Sequence, residues 1–410
     1  MSGTQSQTKE QLQKRYQDAK GRGLNLDMTR GKPCSEQLDL SLGMLDCLGR
    51  DYKAADGTDC RNYGVLDGLP EAKQLFAEVL EVTSAEIIVA GNSSLALMHD
   101  AVAAALLLGV PGGSRSWRDQ TIKFLCPTPG YDRHFAICQH LGIEMVTVDM
   151  TDEGPNMGQV ERLVAADASI KGIWCVPRYS NPTGIVFSPA VVERLATMKA
   201  APDFRVFWDN AYAVHHLTDK PQPLKNLLAA CKAAGNADRV LTFGSTSKVS
   251  FAGGGVAMVA ASEANIAYMK RNMSFQTIGH DKLNQLRHVR FFGDMAGIEA
   301  HMKKHAAILK PKFDAVTAIL DRELGESGVA RWTRPEGGYF VSIDTREGCA
   351  KAVVAMAAEA GVKLTNAGAT FPYGKDPLDR NIRIAPSMPS LAEIQQAMEL
   401  VAICIRLIGS

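Results

Sequence analysis

The sequence predicts an α/β protein in which a mainly parallel, seven-stranded sheet forms a large domain and a smaller α+β domain accompanies it. The first observation is that short apolar runs alternate with longer helical patterns from Ile87 onward, as in parallel sheets covered by helices on both faces. The second is that this alternation stops after Asp281. Candidate strands lie at 87–90, 122–126, 144–148, 170–176, 206–208, 240–243 and 256–260.

Helical periodicity and a second group of strands complete the predicted order of elements. Helices are predicted at 8–20, 94–108, 132–141, 189–199 and 224–234. After residue 281, a helix at 295–324 that is rich in Ala, Lys and His precedes a strand at 339–343, a helix at 350–360, a strand at 382–385 and a helix at 391–407. We therefore predict a large domain of residues 51–290 and a small domain made of residues 1–50 and 291–410.

The composition favours a compact protein that acts on small molecules. Of 410 residues, 46% are hydrophobic, and 45 Lys and Arg nearly balance 44 Asp and Glu, which disfavours both a disordered chain and a field that attracts polyanions. Nine cysteines without a Cys-x-x-Cys pair indicate reduced thiols rather than disulfides or a zinc site. The polar start from Met1 to Glu10 lacks the apolar core of a signal peptide. We expect a cytoplasmic protein that binds neither nucleic acid nor a membrane.

Three polar segments follow predicted strands, which is where ligands bind in open parallel sheets. Gly-Asn-Ser-Ser at 91–94 precedes a predicted helix, where backbone N–H groups and hydroxyls can bind an anion. The alternative is an ordinary helix N-cap with a tight turn, which uses the same residue types. Tyr131 ends Pro-Thr-Pro-Gly-Tyr at 127–131 and suits either stacking on a flat heterocycle or ordinary packing. Ser-Asn-Pro-Thr-Gly at 180–184 contains Asn181 but is also a common turn sequence.

Two further segments place ionisable groups at strand ends. Asp209 follows an apolar strand, with Tyr212 three residues later, and a single Asp in such a position is also a common cap. Lys248 follows Ser245 by three residues and lies among small and apolar residues, with no acidic residue from 239 to 262. Desolvation would lower the pKa of such an amine, and a lysine that extends to the solvent is the alternative.

The order of these segments matches the needs of pyridoxal 5'-phosphate (PLP). The cofactor's aldehyde needs a lysine, and its ring nitrogen needs a carboxylate to stay protonated. Its phenolate oxygen needs hydrogen-bond donors, and its phosphate needs a nest of Gly and Ser. No single segment is specific, but we know of no purely structural reason for the whole series.

On these residues the chain resembles class I aminotransferases of PLP fold type I. The resemblance extends from Gly31-Lys-Pro33 through Tyr63-Gly-x-x-x-Gly68 to Asn381-Ile-Arg-Ile384. A bacterial subgroup, class Ic, contains aspartate aminotransferases and is similar to this chain in three segments. These are Met28-Thr-Arg-Gly-Lys-Pro33, Gly91-Asn-Ser-Ser-Leu95 and Thr246-Ser-Lys-Val249, and Gly253-Gly-Gly255 follows in the same register.

The resemblance implies a role for each matching residue. Lys248 would be the Schiff-base lysine and proton shuttle, Asp209 would pair with the ring nitrogen, and Tyr212 would be the third catalytic residue. The remaining cofactor contacts would come from Asn92, Ser93, Ser94, Tyr131, Asn181, Ser245 and, from a second subunit, Tyr63. Arg383 would bind the substrate α-carboxylate as a bidentate fork, with Gly31 and Asn181 beside it.

One segment departs from the class. An arginine that pairs with the cofactor phosphate usually follows the lysine, and this chain has Gly253-Gly254-Gly255-Val256 in that place. We expect backbone N–H groups of these glycines to replace part of the arginine's role, with positive charge from Arg178 or Lys32.

The resemblance also implies the reaction. We expect transfer of the amino group of L-aspartate to 2-oxoglutarate in two half-reactions, catalysed by a homodimer with shared active sites. Arg30 and Arg133 are the candidates for the side-chain carboxylate because they flank Gly31 and the Tyr131 motif, and each is equally an ordinary surface charge. The alternatives are a broader, aromatic or kynurenine specificity, a PLP-dependent C–S lyase or decarboxylase, and a non-enzymatic PLP-binding regulator.

Overall fold

The computed structural model describes residues 8–325 and 327–409, so residues 1–7, 326 and 410 of the predicted small domain lie outside the described residues. The helices are α1 (Lys9–Lys20), α2 (Ser35–Asp39), α3 (Pro70–Leu80), α4 (Ser94–Leu108), α5 (Asp132–His140), α6 (Met157–Ala166), α7 (Pro189–Thr197), α8 (Leu227–Ala233), α9 (Glu263–Met273), α10 (Lys282–Phe292), α11 (Met295–Leu324), α12 (Ala350–Glu359) and α13 (Leu391–Gly409). The strands are β1 (Leu26–Asp27), β2 (Ile87–Val89), β3 (Lys123–Thr128), β4 (Glu144–Thr151), β5 (Gly154–Pro155), β6 (Ile170–Cys175), β7 (Arg205–Asp209), β8 (Val240–Ser245), β9 (Ala257–Ala261), β10 (Ala330–Trp332), β11 (Val341–Thr345), β12 (Val362–Lys363) and β13 (Asn381–Ile384).

The central sheet has the strand order β2-β9-β8-β7-β6-β3-β4-β5. Five neighbouring strands, from β8 to β4, run parallel, while β9 is antiparallel to both of its neighbours. The predicted α/β class is confirmed, and each of the seven predicted strands is present. The eighth strand, β5, has two residues that pair with the end of β4, and it is too short to produce an apolar run in the sequence.

Both faces of the central sheet are covered, which explains why its strands are continuous apolar runs. Consecutive residues of β7 point to opposite faces, so Phe207 packs in one hydrophobic cluster with Val102 of α4. Its neighbour Val206 packs in the other cluster with Leu195 of α7. The helices therefore hold the sheet from both sides and leave its carboxyl edge free for polar residues.

A second sheet positions Arg383. Strand β11 lies between β10 and β13 and is antiparallel to both, and the β11–β13 register pairs Ser342 with Arg383. Helices α1, α12 and α13 pack on this sheet in one cluster with the second half of α11, whereas Met302 in the first half of α11 packs with α3 and α10. We propose that the cluster around the second sheet belongs to the predicted small domain and that the cluster with α3 and α10 belongs to the predicted large domain. Helix α11 contributes to both clusters and would join the two domains.

The nine cysteines all lie within the described residues and are free, and seven of them are buried. Across residues 8–325 and 327–409, no helix combines the length and the apolar character needed to cross a membrane.

Candidate active site

A cavity of about 880 Å³ lies at the carboxyl edge of the central sheet, facing the second sheet. Tyr131, Asn181 and Ser245 lie at or beyond the ends of β3, β6 and β8. Thirteen of the fourteen predicted site residues line this cavity, namely Arg30, Gly31, Asn92, Ser93, Ser94, Tyr131, Arg133, Asn181, Asp209, Tyr212, Ser245, Lys248 and Arg383. The shared edge of the parallel strands brings Tyr131, Asn181 and Ser245 together, and Arg383 joins them from β13 of the second sheet.

Lys248 stands in the turn after β8, and its amine faces aromatic rings. Nζ lies 5.0 Å from the centroid of the Tyr212 ring and 5.9 Å from that of the Tyr339 ring. Burial lowers the pKa of this amine, and the negative charge of Asp209 opposes that shift. A lowered pKa leaves more of the amine as the free base that nucleophilic attack and proton transfer require.

Asp209 ends β7 with a buried carboxylate. Its Oδ2 lies 3.0 Å from Nε2 of His134, and that imidazole stacks on the Trp174 indole with ring centroids 4.4 Å apart. Its Oδ1 is buried without a hydrogen-bond partner. Because an unpaired buried acceptor is costly, the site fits a bound molecule that brings a donor, and the protonated ring nitrogen of PLP is such a donor.

Two phenols on the cavity keep their protons. Burial raises the pKa of Tyr131 to about 12, and it raises the pKa of Tyr212 well above the ordinary value. Each phenol is therefore a hydrogen-bond donor at neutral pH. The Tyr131 ring meets the His134 imidazole edge to face, with centroids 4.9 Å apart, so one histidine contacts both Tyr131 and Asp209.

The first turn of α4 forms one end of the cavity. Ser93 is the N-cap of this helix, and its Oγ accepts a backbone N–H of the first turn at 3.2 Å. Ser94 and Ser245 line the cavity nearby, and Ser247 Oγ lies 3.5 Å from the carbonyl oxygen of Asn92. Hydroxyls around a helix N-terminus suit a phosphate group.

Arg178 and the glycines after Lys248 do not replace the missing phosphate arginine in the way the sequence predicts. Gly253, Gly254 and Gly255 do not line the cavity. The Gly254 amide donates to the Phe251 carbonyl at 3.1 Å, so the turn itself uses that N–H. Arg178 also points elsewhere, because its Nη1 donates to the Gln222 carbonyl at 3.2 Å. Lys32 lines the cavity and is the remaining candidate for the charge.

Arg383 reaches the cavity from β13 with a buried guanidinium. Nη1 donates to Oδ1 of Asp132 at 2.9 Å and to Oδ1 of Asn181 at 3.2 Å. Nη2 lies 3.4 Å from Oγ1 of Thr365, and Nε is buried without a partner. The group is held in one orientation and retains capacity for a further acceptor.

The ring of Phe340 contacts both Arg383 and Gly31. The guanidinium carbon lies 4.9 Å from the ring centroid, a cation–π distance. A Cβ atom at Gly31 would lie 2.6 Å from Cζ of the same ring. Any side chain at position 31 would therefore have to displace this ring.

Positive charge exceeds negative charge around the cavity. Among the described residues that line it, five are cationic and two are anionic, namely Arg30, Lys32, Arg133, Lys248 and Arg383 against Asp132 and Asp209. This excess favours anionic ligands such as a phosphate and carboxylates.

Tyr63 is the predicted site residue that does not line the cavity. This residue is 82% exposed and lies outside the cavity of its own chain. Its role toward a second subunit stays a prediction.

Three residues at the site were not predicted from the sequence, namely His134, Asp132 and Thr365. His134 follows Tyr131 by three residues at the start of α5, a spacing that places both on one side of a helix, so a signal for His134 was available. Asp132 lies 251 positions before its partner Arg383, and no local pattern connects the two.

Comparison with known sequences assigns the chain to a family. A family model described as aspartate amino-transferase matches residues 1–410. The aspartate aminotransferase of Corynebacterium glutamicum is 45% identical over 401 residues, which cover 97% of this chain and 93% of that protein. A Mycolicibacterium smegmatis protein described as an aminotransferase is 50% identical over 397 residues, which cover 96% of this chain and 93% of that protein.

Solved structures agree. An aspartate transaminase from Corynebacterium glutamicum superposes with a TM-score of 0.96 at 45% identity, covering 98% of this chain and 95% of that one. The α-aminoadipate aminotransferase of Thermus thermophilus, solved with N-(5'-phosphopyridoxyl)-L-leucine, shares the fold, with a TM-score of 0.76 at 21% identity over 99% of this chain and 98% of that one. The fold and these matches define an aminotransferase. The chain belongs to the aspartate aminotransferase family, and the predicted resemblance is confirmed.

Proposed function

We propose that the chain transfers the amino group of L-aspartate to 2-oxoglutarate and forms oxaloacetate and L-glutamate. The observation that carries the proposal is that Lys248, Asp209 and Arg383 share one cavity. They bring together an amine, a carboxylate with an unpaired buried oxygen, and a buried guanidinium. The 45% identical relative, an aspartate aminotransferase, supports the choice of substrate.

PLP is the proposed cofactor, and the residues present fit it. When bound, PLP supplies an aldehyde that condenses with amines and a ring that accepts an electron pair. Oδ1 of Asp209 would accept the ring N–H, and Tyr131 would cover the ring. Tyr212 and Asn181 would bond the phenolate oxygen, and Ser245 with the first turn of α4 would hold the phosphate.

Lys248 would carry out both the covalent attachment and the proton transfer. Its amine would hold the cofactor aldehyde until the amino group of the substrate displaces it. The free amine would then take the proton from the substrate Cα and pass it to the C4' carbon of the bound cofactor. Burial lowers the pKa of this amine, which suits a group that must act as a base near neutral pH.

A dicarboxylic substrate requires two cationic groups. Arg383 would bind the α-carboxylate, as its buried and oriented guanidinium suggests. Arg30 and Arg133 are the proposed partners of the side-chain carboxylate, because both are exposed and line the same cavity.

We further propose a cytoplasmic homodimer with shared active sites. Tyr63 of the partner subunit would complete the phosphate end of each cavity. Tyr63 is 82% exposed in a single chain, so its ring is available to contact a second subunit.

Two measurements test the proposed function. The purified enzyme with PLP should absorb visible light, and L-aspartate should bleach that band. In a panel of amino donors with 2-oxoglutarate, aspartate should give the highest kcat/KM. Ammonia release without any oxo acid would indicate a lyase instead, and a chain that binds no PLP would contradict every enzymatic version.

A further inference from the structure

Three buried histidines contact the segment 245–250, which we call the lysine turn because it carries Lys248. His215 follows β7, His288 lies on α10 and His301 lies on α11. Their exposed fractions are 3%, 0% and 5%. None of the three lines the cavity, so they act on the lysine turn and not on a ligand.

Two of these histidines bond consecutive carbonyl groups. Nε2 of His215 lies 3.3 Å from the carbonyl oxygen of Lys248. Nε2 of His301 lies 2.9 Å from the carbonyl oxygen of Val249. Because a carbonyl oxygen only accepts, the Nε2–H of each histidine donates. The O–H of Tyr339 also donates to the Lys248 carbonyl, at 3.5 Å.

The third histidine holds the two ends of the lysine turn. Nε2 of His288 lies 2.8 Å from Ser250 Oγ and 3.0 Å from Thr246 Oγ1. Its Nδ1 lies 2.7 Å from the carbonyl oxygen of Asn284 and therefore donates its proton there. In the neutral ring Nε2 carries no proton and accepts a hydrogen bond from the hydroxyl of Thr246 or Ser250. The ring of His288 is therefore bonded both to α10 and to the lysine turn.

A shared partner orients the donors. The Gln37 amide lies 3.0 Å from Nδ1 of His305 and donates to Tyr339 Oη at 3.0 Å. Nε2 of His305 lies 3.1 Å from Nε2 of His301. Gln37 of α2 therefore bonds Tyr339, which contacts the Lys248 carbonyl, and His305, which lies beside His301.

We propose that His215 and His301 are positioning residues for Lys248. The inference rests on the proposed function, in which one amine must reach first the substrate Cα and then the cofactor's C4' carbon. The two donors fix the peptide planes that begin at Cα of Lys248 and at Cα of Val249, and so fix the point from which the side chain extends. A misplacement of about 1 Å in a reacting group costs roughly a hundredfold in rate.

Substitutions that remove or keep the donor test this inference in the PLP-loaded enzyme. His215→Leu and His301→Leu should each lower kcat with aspartate about tenfold or more, with KM within about threefold. They should also weaken the visible circular dichroism of the bound cofactor. His215→Gln and His301→Gln place an amide N–H near the position of Nε2 and should restore kcat to within about threefold.

The matched control is Asn265→Leu, which removes a buried amide that donates to the Asp238 carbonyl at 2.9 Å, away from the lysine turn and the cavity. It should lower Tm but leave kcat and the dichroism unchanged. If a leucine variant does not fold, His301→Asn, whose amide reaches toward the Nδ1 position, should be slower than His301→Gln. Folded leucine variants with unaltered kcat and dichroism would overturn the inference, as would glutamine variants as slow as the leucine ones. Absence of transamination by the unaltered chain would refute the proposed function itself.

Discussion

Asp132 and Arg383 form an ion pair in which Oδ1 of the carboxylate accepts a hydrogen bond from Nη1 of the guanidinium at 2.9 Å. The Arg383 side chain is 7% exposed and the Asp132 side chain is 36% exposed. A carboxylate of the protein thus already contacts the cation that we propose for the substrate α-carboxylate. Asp132 and the substrate would compete for the same positive charge.

Replacing Asp132 by asparagine should tighten the binding of the dicarboxylate maleate. A partly exposed ion pair contributes up to ~1 kcal/mol. Removing the competing carboxylate of Asp132 should therefore lower the Kd for maleate by at most about fivefold. Titration of the visible absorption of the PLP-loaded enzyme measures this Kd. Asp51→Asn removes an equal charge from an exposed pair with Arg290 and serves as the control. Weaker binding in Asp132→Asn would contradict competition and mean that Asp132 orients Arg383.

Asp209→Asn should nearly abolish turnover while leaving the cofactor bound. The amide keeps the volume of the carboxylate but removes the negative charge that would keep the ring nitrogen protonated. We expect kcat to fall by roughly 10³-fold, a barrier increase of about 4 kcal/mol. His134→Gln retains a donor to Oδ2 and should lose far less activity. Near-normal kcat in a coloured Asp209→Asn enzyme would refute the assigned role.

Arg383→Lys should weaken the use of aspartate although it conserves the charge. An ammonium group cannot present the planar fork that binds a carboxylate through two parallel hydrogen bonds, so KM should rise by roughly a hundredfold. Steady-state kinetics with aspartate and 2-oxoglutarate measure the change. Arg380→Lys, on the loop that precedes β13 and 4.0 Å from Asp344, should leave KM unchanged.

Buried histidines should make the protein labile to mild acid. Burial lowers the pKa of His288 and of His305 to about 4, below their value in an unfolded chain. Between pH 6.5 and 4 the unfolded chain binds more protons at these histidines than the folded chain does. Their full contribution to the free energy of unfolding is therefore present above pH 6.5 and is lost as the pH falls toward 4. Each of the two histidines should lower the free energy of unfolding by about 2 kcal/mol between pH 7.5 and pH 5.

Thermal unfolding at pH 7.5 and pH 5 tests this pH dependence. His288→Gln should show a smaller drop in Tm between the two pH values than the unaltered protein, because the amide does not titrate. His140→Gln, at an exposed position, should show the same drop as the unaltered protein. An equal drop in all three proteins would exclude His288 as a source of the acid lability.

Mixed dimers should reveal whether Tyr63 serves the neighbouring site. A Lys248→Ala chain should be inactive, and a Tyr63→Ala chain should be impaired. In a hybrid of the two, the site with an intact lysine would receive Tyr63 of the partner subunit, so about half of the unaltered activity should return. Purified hybrids no more active than the mixture of parents would show that Tyr63 does not act across an interface.

The central sheet was predictable because burial on both faces leaves a strong local signal. Parallel strands such as β7, with Val206 in one cluster and Phe207 in the other, read as unbroken apolar runs. The polar residues at strand ends were also predictable, because ligand-binding residues of open parallel sheets lie at the carboxyl ends of the strands.

Other parts of the site depend on contacts that no local pattern encodes. The pairing of Asp132 with Arg383 requires two sheets to meet, and the histidines around Lys248 come from three separate elements. The glycines after Lys248 were misjudged because the hydrogen bonds of a turn, such as Gly254 to Phe251, are fixed by its three-dimensional course. Residue type alone does not show which amides a turn leaves free.

The lack of a side chain at Gly31 limits how this enzyme can evolve new substrates. Any L-residue there would bring a Cβ atom to 2.6 Å from the Phe340 ring and displace the ring that contacts Arg383. Mutations at position 31 would therefore damage the binding of every amino acid alike, whatever its side chain. Adaptation to monocarboxylic donors would then fall to Arg30 and Arg133, the proposed partners of the side-chain carboxylate, because their side chains are exposed.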